Sequence, residues 1–204
     1  MPRVKVARKS TAIDMTAMCD VAFLLLTFFI LSAKQKTQDP VRAEVPAATT
    51  IAPIPEHDFA TILIGQGKVF FGVEGTDIRK QTLQTMSEKY KIAFTTDEIN
   101  AFTGLESFGV PINQLKQLLD MPTADRSKLV QPGIPVDTTA TNELYDWVHA
   151  ARVADKYLHD KDMKIAVKGD GNEIYPTVGK VIATLQKQKV DRFNLITALK
   201  KVSK

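Results

Sequence analysis

Residues 13–33 read IDMTAMCDVAFLLLTFFILSA, from Ile13 to Ala33, and this run decides the architecture of the chain. Only Asp14 and Asp20 are charged in its 21 residues. At a rise of about 1.5 Å per residue it reaches roughly 30 Å as a helix, enough to cross the hydrocarbon layer of a membrane once. No other segment approaches that apolar length, so the sequence predicts one membrane span carrying a water-soluble domain.

Asp20 is the chemical peculiarity of the span. An ionised carboxylate deep in a spanning helix costs roughly 2.5 to 3.5 kcal/mol on insertion scales, so it calls for a partner, a water path or a proton. Taking up a proton removes the charge, and a carboxyl that alternates between its two forms as water or a cation comes and goes is a proton relay. The structural alternative is a carboxyl tolerated near a helix end, or one that bonds between helices of a dimer. Helical spacing favours the relay: Thr16, Asp20 and Thr27 stand at i, i+4 and i+11 on one face, with Phe23, Leu24 and Leu31 beside them. Asp14 falls about 120° away, a secondary candidate whose simpler reading is a solvated residue at the helix start.

Arg3, Lys5, Arg8 and Lys9 precede the span with no acid among them, which predicts a cytoplasmic N-terminus and an exported remainder. A cleaved signal peptide also begins basic and then apolar. The run here is longer than an h-region, contains Asp20 and ends Leu31-Ser32-Ala33 without a small-x-small cleavage pattern. The expected organisation is a cytoplasmic N-terminus over 1–11, a transmembrane helix over 12–33, a linker over 34–58 and a domain over 59–204.

With 204 residues there is room after the span for one domain of ordinary size. Cys19, the one cysteine, lies inside the span, so the exported part has no disulfide and Cys19 reads as a small packing residue. The net charge of +4 partly reflects the cytoplasmic flank and the lysine-rich C-terminus, and does not call for nucleic acid. Pro40, Pro46, Pro53 and Pro55 interrupt the linker, while Ala47, Ala48, Thr49 and Thr50 offer little to bury. Extended, solvated backbone is expected there, acting as a spacer or ordering on a partner.

From Phe59, ATILI and KVFFGV around Gly65-Gln66-Gly67 predict two strands joined by a glycine turn. A helix follows with Ile78, Leu83, Met86 and Tyr90 at helical spacing. Residues 94–140 carry two helical patterns, one opening on the capping-box sequence Thr95-Thr96-Asp97-Glu98, the other with Ile112, Leu115, Leu118 and Leu119 on a face. Gly109, Pro111, Pro122, Pro132, Gly133 and Pro135 break the pattern between and after them, so the segment reads as an insertion in a simpler domain. Leu144, Trp147, Val148, Ala151 and Ala154 then mark a helix face, with Trp147 in the core. Residues 163–168 alternate as a strand, and residues 168–173 turn. A helix from Tyr175-Pro176 turns Val178, Val181, Ile182 and Leu185 inward, and residues 192–199 make a last strand, interior or at an edge open to a partner strand. Strand, helix, strand at the end predicts two strands of one sheet joined by a crossover. The fold class is α/β: one N-terminal transmembrane helix, then a small two-layer exported domain with an inserted helical region.

With these residues in view, the chain resembles the ExbD/TolR family of biopolymer-transport proteins. The marks are the basic N-terminus, residues 13–21 running into Phe23-Leu24-Leu25-Leu26-Thr27-Phe28-Phe29, the proline-rich link, and the closing IAVKGD and RFNLIT motifs. It departs at Asp14 and Ala17, where the family often has asparagine and proline, and at the segment 94–140; such departures resemble a divergent branch like that of Bacteroidetes. The resemblance implies an inner-membrane subunit working with a multi-spanning ExbB/TolQ-like protein and with a TonB/TolA-like protein, a homodimer, and protons as the coupling ion with no cofactor. It matches Asp20 to the family's intramembrane aspartate and Thr16 to the threonine four residues before it.

Three functional classes follow. A proton-driven transducer uses Asp20; a TolR-like subunit uses the proton and also holds the cell envelope; a passive anchored binding module leaves Asp20 structural. An anchored enzyme is not expected. His57, His149 and His159 lack metal-binding spacing and read as a linker residue, a helix residue and a turn residue. Asp170-Gly171-Asn172-Glu173 lacks the twelve-residue calcium pattern and reads as a turn, and no G-x-S-x-G, Walker A or GxGxxG motif is present.

Overall fold

A computed structural model describes residues 15–33, 47–48, 59–126, 129–137, 142–170, 175–190, 192–196 and 198–199. Asp14, His57, the basic residues of the N-terminus, the four linker prolines and most of the turn after Asp170 lie outside the described residues. The chain divides into two units, 1–37 and 38–204. The first holds helix α1 (Met15–Ser32).

The second unit begins with the short strand β1 (Ala47–Ala48) and the hairpin of β2 (Phe59–Gly65) and β3 (Lys68–Val73). Gln66 and Gly67 connect the hairpin with φ of 56° and 71°. Two consecutive positive φ angles give a turn whose twist matches that of the flanking strands, and a glycine at one of them removes half of the steric cost. Helices α2 (Thr76–Tyr90), α3 (Thr96–Thr103), α4 (Ile112–Asp120), α5 (Thr123–Arg126) and α6 (Glu143–His159) follow, then β4 (Lys164–Gly169), α7 (Tyr175–Lys187), β5 (Asn194–Ile196) and β6 (Ala198–Leu199).

The main sheet runs β3-β2-β4-β5, antiparallel within the hairpin and parallel thereafter. The predicted crossover is therefore real: β4 and β5 pair in parallel, Ala166 opposite Asn194, with α7 between them in sequence. Strand periodicity puts Ala60, Ile62, Ile64, Val69, Phe71, Val73, Ile165 and Val167 on one face. There they share a core with Ile78, Leu83 and Met86 of α2, Leu144, Trp147 and Val148 of α6, and Val181 and Leu185 of α7. All four α4 positions read as apolar are buried.

Several local readings are corrected. Residues 163–168 are expected to alternate, but Ile165, Ala166 and Val167 are buried in succession, so both faces of the middle of β4 are covered, as in a parallel interior strand. On α7, Ile182 stays half-exposed and Thr184 is buried instead. Thr184 tolerates burial because its hydroxyl accepts from Asn142 Nδ2 (2.8 Å) and donates to the Lys180 carbonyl (2.8 Å). The expected single strand over 192–199 is β5 and β6, which pair with different partners: β5 with β4, and β6 in parallel with β1, Ala47 opposite Ala198. Ala47 and Ala48, expected in solvated linker, thus carry backbone pairing. His159 is the last residue of α6 rather than part of a turn.

The segment 94–140 builds the rim and centre of the core. Thr95 caps α3 in a reciprocal box with Glu98, as the sequence motif predicts. Phe108 exchanges both backbone hydrogen bonds with Phe71 of β3 (2.8 and 2.9 Å), and Ile134 N–H donates to the Val69 carbonyl (2.8 Å), so the segment closes the outer edge of β3. Phe102 stacks on Trp147 with centroids 5.9 Å apart, and Phe108 meets the same indole edge-on at 4.8 Å. Gly109 sits against the wholly buried Phe70 ring, where a Cβ would lie 2.2 Å from ring carbon Cδ1.

Candidate functional site in the apolar helix

Helix α1 is built from strong helix formers, leucine, methionine and alanine, with phenylalanine added and no glycine or proline to interrupt its hydrogen bonds. Its 18 residues make it about 27 Å long. Among the described residues none of the helix is buried, and Phe23, Leu24, Phe28, Phe29, Ile30 and Leu31 all stand exposed. Water does not tolerate a continuous apolar surface of this extent, so lipid or other helices cover it.

Asp20 lies about 7.5 Å along the axis from Met15, well inside the apolar stretch. At 100° per residue, Thr16, Asp20 and Thr27 fall within about 40° of one another, so the helix brings together the three residues singled out from sequence. No hydrogen bond or ion pair from the described residues reaches the Asp20 carboxylate. The Thr27 hydroxyl donates to the Leu24 carbonyl (2.9 Å), which commits its hydrogen and leaves its oxygen as an acceptor. Cys19 is a free, exposed thiol beside Asp20. The arrangement is a polar line on an apolar rod, with one titratable group and acceptor oxygens about 6 Å and 10 Å away along the axis.

The domain contributes charged groups the sequence did not flag. Arg79, on α2, is buried, and burial lowers its pKa against the pull of Glu74 and Glu106. Its Nε and Nη1 donate to the Val73 and Thr103 carbonyls (2.5 and 2.7 Å), tying α2 to β3 and α3. Burial also raises the Tyr90 phenol, reinforced by its bond to Asp146 (2.8 Å). Glu143 is raised by burial as well, although it accepts from the Ile112 N–H (3.0 Å). His159, Asp155 and Asp77 meet where α6 ends and α2 begins. The i, i+4 spacing of Asp155 and His159 is visible in sequence; nothing local announces Asp77. Among the described residues no group of three or more His, Cys, Asp or Glu is placed to hold a metal ion.

Fold and site together define a class of protein, an α/β domain preceded by one membrane-length apolar helix that carries a carboxylate. The chain matches the family model described as "Biopolymer transport protein ExbD/TolR" over residues 7–200, nearly its whole length, and belongs to that family. No curated protein and no solved structure matches it. The family consists of non-enzymatic energy-transduction subunits of biopolymer transport that work with ExbB/TolQ and TonB/TolA proteins. The helix and the family together point to a single-pass protein of the inner membrane.

Proposed function

We propose that this chain is the ExbD-type subunit of a complex of the ExbB-ExbD-TonB kind, in which Asp20 alternately takes up and releases a proton to power active transport across the outer membrane. The observation that carries the reading is a carboxylate that no described residue pairs, on a polar line of a membrane-length apolar helix whose described residues are all unburied. A lone helix cannot enclose a water path, so protons reach Asp20 only between α1 and other helices. A multi-spanning ExbB/TolQ-like partner and a second copy of this chain supply them. Thr16 and Thr27 hold water or partner donors along the path. Arg3, Lys5, Arg8 and Lys9 set the N-terminus in the cytoplasm and the domain in the periplasm, where it acts on a TonB/TolA-like protein. Each proton crossing 100 mV releases about 2.3 kcal/mol, so a few suffice for a conformational step in the domain.

The test is Asp20→Asn at the native locus, which keeps size and hydrogen bonding but cannot release a proton. With the protein still in the membrane at normal level, uptake of a scarce ligand that needs active outer-membrane transport is expected to stop. Unchanged uptake together with intact envelope integrity would make Asp20 structural and the protein a passive anchor. Unchanged uptake with a leaking envelope would place it in the TolR-like role.

A further inference from the structure

Outside the membrane helix, the fold lines up three titratable side chains that are far apart in sequence. His159 Nδ1 lies 2.9 Å from Asp155 Oδ1, and its Nε2 lies 3.2 Å from Asp77 Oδ2. A neutral imidazole has one N–H and satisfies one of these contacts, while the other would set a lone pair against a carboxylate oxygen. Imidazolium donates to both. Asp155 is wholly buried, and its Oδ2 has no hydrogen-bond partner among the described residues, so its charge leans on the contact with His159. Asp77 stands in the first turn of α2 and His159 in the last turn of α6, each at the helix end whose dipole favours its charge. From the elements packed here, α2 contributes Asp77 and α6 contributes Asp155 as ion-pair contacts of His159. The adjoining Lys156 is engaged by Asp160 at 3.1 Å.

The location gives the trio a consequence. Strand β3 ends just before α2, and α6 leads into β4. At that end of the sheet the Glu74 N–H donates to the Phe59 carbonyl (3.0 Å), and Lys164 pairs with Phe59. Phe59 opens β2, where the polypeptide enters the sheet from the linker.

We propose that Asp77, His159 and Asp155 form a proton-sensitive fastening between the start of α2 and the end of α6. It is closed while His159 carries two ring protons and both carboxylates are ionised. Loss of the imidazolium proton turns one contact repulsive, and the exposed arm, Asp77, lets go, since Asp155 is held in the interior. The strength of the α2–α6 junction then follows the acidity around the domain.

Hydrogen exchange of the full-length protein in detergent micelles tests this, with exchange times scaled for the intrinsic pH dependence. Amides of residues 76–80 and 156–160 are expected to open about tenfold more at about pH 8.5 than at about pH 6. In His159→Gln, which keeps a donor but cannot titrate, and in Asp77→Asn, that ratio falls to about one. A ratio near one in the unaltered protein, or a ratio that persists in His159→Gln, overturns the proposal. Should the variants fail to fold, ring nitrogen NMR of the unaltered protein decides it: at about pH 6 both His159 nitrogens must be protonated and hydrogen-bonded, and a single neutral tautomer there refutes it.

Discussion

Truncating Phe108 to alanine tests whether the segment 94–140 belongs to the core or merely lies on it. The ring is 3% exposed and has three aromatic neighbours, with centroids 4.8 Å from Trp147, 5.3 Å from Phe102 and 6.3 Å from Phe71. Removing a buried phenylalanine costs about 3 to 5 kcal/mol when the cavity cannot collapse, and the edge-on contact with Trp147 accounts for about 1 kcal/mol of that. The backbone exchange between Phe108 and Phe71 survives the substitution, so the loss reports packing alone. A loss of about 4 kcal/mol lowers the folding equilibrium constant about a thousandfold and the melting temperature by about 8 to 16 °C for a domain of this size. The assay is urea unfolding of the full-length protein in micelles, followed by fluorescence of Trp147, the only tryptophan and wholly buried. Phe108→Leu, which refills part of the space, should lose about 1 kcal/mol. A loss below about 1 kcal/mol for Phe108→Ala would refute the packing argument and return the segment to an appended layer.

Gly109→Ala should cost about 1 to 3 kcal/mol, because the added Cβ would meet Phe70 Cδ1 at 2.2 Å and the buried ring has nowhere to swing. Gly169→Ala, with nothing within 4 Å, is its control, expected within about 0.5 kcal/mol by urea midpoint. Glu98→Gln should cost about 1 kcal/mol at neutral pH. Burial disfavours the Glu98 carboxylate, but the Thr95 N–H (2.5 Å), the Thr95 hydroxyl and Lys116 (3.6 Å) outweigh it and hold its pKa below the ordinary 4.5. That stabilisation is present above the ordinary value and lost as pH falls through the folded one. The stability curves of the two proteins should therefore converge in acid; a gap that stays constant down to about pH 3 would contradict the assignment.

Helix α1, the hairpin and the cap of α3 were legible because each is written in adjacent residues. An unbroken apolar run sets a helix and its exposed surface, two alternating runs around Gln66-Gly67 set a turn, and Thr95 with Glu98 sets a helix start. The line of Thr16, Asp20 and Thr27 belongs to the same kind, since helical period alone assembles it. Contacts between distant residues left no such mark. The prolines and glycines of 94–140 mark the segment as an insertion but not its contacts: they let the chain bend so that Phe102 and Phe108 reach Trp147 and close the edge of β3.

By itself the sequence determined that there is one membrane-length helix, that it carries a carboxylate on a polar line, and that strands and helices follow in α/β order. Tertiary structure alone decided that Ala47–Ala48 pairs with the last strand, that β4 is buried on both faces, and that His159 stands between two aspartates. The division is physical. Periodicity and caps act over a few residues and are encoded where they act, whereas burial and ion pairing depend on which surfaces the finished sheet brings together.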